Sequence, residues 1–240
     1  MKADQPAAAT PRISLYLLGT FRVERDARPI RLPTREVEAL LAYLVLHPEA
    51  HTREKLAALL WGDSPDEQAR GSLRKALTLL RTHLGDAIVL ADRETIQINP
   101  DCLLWMDALE FSAQAGRFLA QAASTLEAVN LELYRGDLLV DLYEDWVLPW
   151  RESVRNLHLR TLTRLIQQAG ASSDYSRAVE LAQMVLTHDP ENEAVHQSLM
   201  LSYLAIEAQC DAAISRAHRW HDACFTLARQ IADVHRGIID

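Results

Sequence analysis

The spacing of apolar residues changes several times along the chain, and each change marks a new element. Residues 13–23, ISLYLLGTFRV, are apolar and β-prone, with a break at Gly19. The turn-like ERDAR and then PIRL follow, so a small antiparallel sheet of short strands is expected here. At Pro33-Thr34 the period becomes helical. Thr34 is placed to cap a helix whose apolar positions are Val37, Leu40, Leu41, Leu44 and Val45, ending at His47-Pro48. A second helix starts near Thr52, carries Leu56, Leu59 and Leu60 on one face, and stops at Trp61-Gly62. Ser64, ahead of Pro65, Asp66 and Glu67, reads as the cap of a third helix running to Leu84. In that helix Ala69, Leu73, Ala76, Leu77, Leu80 and Leu84 share an arc of about 100°, the width of a core-facing stripe. Gly85 ends it, and the runs Ile88–Leu90 and Thr95–Ile98, joined by a polar turn with Arg93, predict a β-hairpin.

From about Asp107 onward the pattern reads as helical throughout, with the aromatic, acidic stretch LYRGDLLVDLYEDWVLPWRE at 133–152 punctuated by Gly136 and Pro149. Beyond it the spacing resembles tetratricopeptide repeats. Ala178, Ala182 and Val185 fall at packing positions and Pro190 closes a helix. A step of about 34 residues forward reaches Leu199, Tyr203 and Ala212, and one backward reaches Leu162, Leu165 and Ala169. Two units and a partial third are expected. The fold class is therefore mainly α with small β elements: a winged helix-turn-helix, then an all-α tetratricopeptide-like superhelix. The expected boundaries are a flexible tail at 1–12, a winged-helix domain at 13–101 and a helical-repeat domain at 102–240.

Composition narrows the function. Hydrophobic residues make up 49% of the 240, which suits a globular chain. The net charge of −8 argues at first against a polyanionic partner. It is unevenly placed, however: residues 1–100 hold 14 Lys/Arg against 13 Asp/Glu, and residues 101–240 hold 11 against 20. The acid sits in the second half, and the nearly neutral first half can bind DNA where its arginines cluster. The start lacks an apolar core and the longest clean apolar run, Ala39 to Leu46, is too short for a bilayer, so a cytoplasmic protein without a membrane partner is expected. Cys102, Cys210 and Cys224 read as reduced thiols.

The third helix carries the candidate chemistry. Arg70, Arg74 and Arg81 line up beside the core stripe, with Lys75 and Thr78 continuing the exposed face and Ser72 nearer its edge. A guanidinium makes paired bonds to guanine or phosphate, and a helix of this width fits the major groove. Arg70, Ser72 and Arg74 are candidates for base contact. Lys75, Thr78 and Arg81 are candidates for phosphate, and Arg93 is one for the wing tip. A plain solvated helix face is the alternative.

The segments LPTREVEALLAYL, LAALLW followed by ARGSLRKAL, LYRGDLL and EDWVLPWRE occur in this order. Together they resemble SARP-type regulators, with an OmpR-type winged helix followed by a bacterial transcriptional activator domain. The resemblance covers about residues 13 to 225, although ARQIADVHRGIID departs from the family's usual exit. It implies an activator that binds direct-repeat promoter sites in double-stranded DNA, as a possible homodimer on DNA, and contacts RNA polymerase. The loop Trp61, Gly62, Asp63, Ser64 and Asp66 matches the polymerase-contact position, with a plain connector as the alternative. Tyr134, Asp137, Trp146 and Trp150 match positions that would lock the repeats onto the winged helix.

An enzyme is not expected, since P-loop, GxGxxG, GxSxG and HExxH patterns are missing. No cofactor is expected either. His218, His221 and Cys224 spread over too wide an arc to make a good zinc site. The competing reading is an interaction module that uses its repeats and winged helix to bind protein.

Overall fold

The computed structural model describes residues 13–120 and 129–236, with side chains through 215; the expected tail at 1–12 lies outside the described residues. The chain divides into two compact units, Met1–His158 and Leu159–Asp240.

In the first unit, β1 (Ile13–Tyr16), β2 (Arg22–Arg25) and β3 (Arg28–Ile30) form the expected antiparallel ladder, with Leu15 opposite Val23. Ile13 and Leu15 point into the core, as a period of two dictates. Helix α1 (Arg35–Leu46) begins where Thr34 Oγ1 accepts the Val37 N–H, and this same hydroxyl holds the Glu36 carboxyl below the usual range. The helix is buried nearly all round, from Val37 and then Ala39 through Leu46, so it is the central element of the unit. The two-residue β4 (His51–Thr52) leads into α2 (Arg53–Trp61), where Thr52 Oγ1 accepts the Lys55 N–H. Helix α3 (Asp66–Leu84) follows, and its buried residues are the six of the expected stripe. Its start differs from expectation. Pro65 occupies the cap position and no side chain accepts a hydrogen bond there, because Ser64 stands one residue too early. Beyond α3, β5 (Val89–Ala91) and β6 (Thr95–Ile98) form the expected hairpin, and β4 pairs with β6 to complete a three-stranded wing sheet.

The chain then returns to the first sheet. β7 (Leu104–Met106) pairs in parallel with β1, giving the order β3-β2-β1-β7, and α4 (Asp107–Ala120) follows directly. Asp107 is buried at this junction. Its carboxylate accepts the N–H groups of Leu17 (2.7 Å), Leu18 (3.1 Å) and Ala108 (2.7 Å).

The expectation of helix throughout from Asp107 fails at 129–147. That segment holds only two short 3-10 turns, Leu131–Leu133 and Asp145–Val147. Its backbone is committed elsewhere: Gly19 N–H bonds Asp137 O, Leu139 N–H bonds Leu17 O, and Val140 N–H bonds Gly19 O. Gly136 sits at φ +155°, a backbone angle that suits glycine, and a Cβ there would lie 3.5 Å from the Gly19 Cα, in ordinary contact. Arg151 then clasps the carbonyls of Leu138, Leu139 and Leu142.

The expected lock residues act within this first unit. Tyr134 donates to Asp137, Asp137 pairs with Arg155, and the Tyr134 ring stacks on His158. Burial pushes the Tyr134 hydroxyl pKa well above its ordinary value. Trp146 meets the edge of Tyr43 on α1, and Trp150 Nε1 donates to His47 Nε2 at 3.1 Å. Replacing Trp150 by Phe keeps most of the ring contact but removes that donor. The expected loss is about 1–1.5 kcal/mol, read as a lower urea midpoint at unchanged m-value.

Helix α5 (Leu148–Ala171) carries Pro149 in its first turn, where a missing N–H is tolerated, and the division between the units falls within it. The second unit continues with α6 (Tyr175–His188) and α7 (Glu193–Arg236). Leu162, Ala169, Ala178, Ala182 and Val185 are buried, in keeping with the repeat spacing, and Leu165 is half-buried. The partial third repeat is not formed. α7 runs unbroken through Leu199, Tyr203 and Ala212, and Tyr203 is 50% exposed and Ala212 exposed. The reason is local: residues 193–236 contain neither Gly nor Pro.

Candidate nucleic-acid interface

The first half of α3, the start of α2 and the turn of the β5–β6 wing surround an open groove of about 1410 Å³. Each wall is held by local chemistry. At 19 residues, α3 is about 28 Å long, and its apolar stripe fixes which face turns outward. The wing turn is set by Asp92, whose carboxylate accepts the N–H groups of Thr95 and Glu94 and the Thr95 hydroxyl. Those bonds hold the Asp92 carboxyl below its usual range. Arg53, the first residue of α2, ties that helix to the wing: its Nε donates to Asp92 O at 2.9 Å and its backbone N–H to Glu94 O at 3.0 Å.

Three of the predicted contact residues, Arg70, Arg74 and Arg93, meet around this groove, and all are exposed. Arg70 Nη2 reaches Glu54 Oε1 on α2 at 3.1 Å, and Arg74 Nε reaches Arg70 O at 3.4 Å. Lys75 and Thr78 are exposed farther round the helix, and the Thr78 hydroxyl bonds Arg74 O at 3.0 Å. Ser72 is half-buried at the stripe edge. Arg81 departs from the exposed band it was assigned to. It is half-buried, and its Nη2 points to Val89 O at 3.4 Å, because the wing strand folds back across the end of the helix.

Sequence reading missed Arg53. The Thr52 cap was visible, but the role of the next residue depends on β4 pairing with β6, which two residues cannot announce. The groove also carries Glu54, Asp66, Glu67, Asp92 and Glu94, so its arginines are set among carboxylates.

At the far end of α2, the loop assigned to polymerase contact has Gly62, Asp63 and Asp66 exposed, with Trp61 and Ser64 half-buried. Trp61 packs against the core and its carbonyl accepts the Ser64 N–H. A Cβ at Gly62 would sit 2.7 Å from Ala58 O, so this tight connection needs glycine. A recess of about 310 Å³ lies beneath it, between α2 and α3.

Residues 106–228 match the family of the bacterial transcriptional activator domain. The chain belongs to this family. The match begins at Met106, the last residue of β7, and takes in the lock residues and α4 through most of α7. With its winged-helix elements ahead of the matched residues, the chain has the order of domains expected of SARP-type regulators. Curated relatives include the transcriptional regulatory protein EmbR of Mycobacterium bovis and that of Mycobacterium tuberculosis. Each is 27% identical over 223 residues, covering 86% of this chain and 57% of the relative. A solved structure of Mycobacterium tuberculosis EmbR in complex with a low affinity phosphopeptide shares the fold. Its TM-score is 0.66 at 24% identity, over 84% of this chain and 57% of that one. The chain thus spans a little over half the length of these relatives.

Among the described residues no His, Cys, Asp and Glu grouping could hold a metal; the side chains of His218, His221 and Cys224 lie outside the described residues. No described helix is long and apolar enough to cross a membrane.

Proposed function

We propose that this regulator binds promoter DNA sequence-specifically, with residues 13–101 as the winged-helix reader and 102–240 as the activator domain. The observation that carries the reading is the convergence of Arg70, Arg74 and Arg93 on one groove between α3 and the wing. In this reading α3 enters the major groove, where Arg70 and Arg74 offer paired donors to base edges with Ser72 beside them. Lys75 and Thr78 face phosphates, Arg93 follows the adjacent minor groove, and Arg53 contributes a further backbone contact. Arg81 braces the helix against the wing. Two copies occupy direct repeats in the cytoplasm, and Gly62, Asp63 and Asp66 present the loop that touches RNA polymerase.

Selection of bound duplexes from a random pool by the purified protein tests this. The expected result is an enriched motif of two direct repeats whose affinity falls steeply with salt as phosphate contacts release counterions. No enrichment at low salt would overturn it. The carboxylates around the groove favour a second reading, a module that captures a basic peptide; binding to such peptides without any preferred duplex would select it.

A further inference from the structure

Four arginines and five carboxylates line the groove, a surplus of acid where a polyanion is to dock. Most of these acids have a local explanation. Asp92 builds the wing turn, and Asp66 and Glu67 lie in the first turn of α3, where the helix dipole favours them. Glu54 also lies in a first turn, that of α2, but its carboxylate reaches across to Arg70. The pair is solvent-exposed, with side chains 56% and 78% accessible, so it adds little to stability. Its effect lies in where it holds the guanidinium. The carboxylate accepts from Nη2, and a guanidinium has five N–H donors in a rigid fork, so the remaining edge stays available for two parallel bonds.

We propose that Glu54 is a specificity-determining positioning residue: its carboxylate orients Arg70 for a base edge and its charge opposes sequence-independent phosphate contact. The proposal rests on the DNA-binding reading above. A fixed guanidinium matches the two acceptors of guanine with less ordering cost than a free one, which strengthens the specific complex. The negative charge beside it weakens complexes in which Arg70 meets only backbone. Both effects widen the gap between a preferred duplex and a random one.

The experiment compares wild type, Glu54→Gln and Glu54→Ala for binding to the selected duplex and to a scrambled duplex of equal length, at two salt concentrations. Gln retains an acceptor for Arg70 and removes the charge; Ala removes both. With Glu54→Gln, scrambled DNA should bind several-fold more tightly, and more so at low salt. With Glu54→Ala the selected duplex should also weaken, narrowing the affinity ratio by about tenfold, or about 1.4 kcal/mol. In an Arg70→Ala background the loss of affinity for the selected duplex should vanish. Thermal midpoints of the variants report that the fold is intact. A wild-type protein that selects a motif, with a ratio unchanged in both variants, would overturn this inference and leave the DNA-binding reading standing. A wild-type protein that selects nothing would overturn both.

Discussion

Replacing Asp107 with alanine should destabilise the first compact unit by about 3–5 kcal/mol, more than loss of any single exposed contact. Asp107 is 1% exposed and serves three backbone N–H groups, those of Leu17, Leu18 and Ala108, all in buried residues. Alanine leaves those donors without their acceptor in an apolar interior, where each orphaned group costs about 1–3 kcal/mol and neighbouring losses are not additive. Those donors lie just past β1 and at the start of α4, so the damage falls where β1 and β7 come together. A thermal midpoint lowered by on the order of 10 °C is expected, at about 2–4 °C per kcal/mol for a unit of this size. Asn, with one acceptor oxygen, should recover part of the loss.

Burial raises the Asp107 carboxyl above its ordinary value, against the three N–H donors, which lower it. A raised carboxyl binds its proton more tightly folded than unfolded. Its contribution to stability is therefore greatest below the unfolded value and declines as pH rises through the folded one. The Asn variant should lack that decline. A wild-type curve parallel to that of the Asn variant from pH 3 upward would contradict this assignment.

The junction at Asp107 also shows what kind of information the sequence holds. The six buried residues of α3 and the caps Thr34 and Thr52 were legible because each depends on neighbours within a few positions. β7 was not, since three residues that pair with a strand about 90 positions earlier leave no periodic trace. The stretch at 129–147 is rich in leucine and reads as helix by composition. It forms irregular structure because Gly19 and Leu17 already offer backbone partners. The same limit applies to the interface. A helical wheel placed Arg70 and Arg74 outward correctly, yet it put Arg81 in the same band, blind to the wing strand that folds back to it. Arg53 and the partnership of Glu54 with Arg70 depend on α2 and the wing meeting α3, which spacing within one helix cannot reveal.

The Arg70→Ala, Arg74→Ala double variant should weaken binding to the selected duplex by about a hundredfold or more, since each arginine that reads a base pair is worth about 1–3 kcal/mol. Stability should barely change. Both side chains are exposed, and the Arg70–Glu54 pair that is lost is of the kind worth about 0–1 kcal/mol. Binding to a scrambled duplex should fall much less than binding to the selected one, because Arg53, Lys75 and Arg93 remain available to the backbone. That difference separates reading from attraction: two lost positive charges alone would weaken both duplexes alike. Preference at the base pairs under α3 should relax while the spacing of the repeats stays fixed, as spacing is set by how two copies sit along the duplex. If the double variant retained the wild-type motif at full affinity, the first half of α3 would not be the reader. The wing turn around Arg93 would then be the next surface to test.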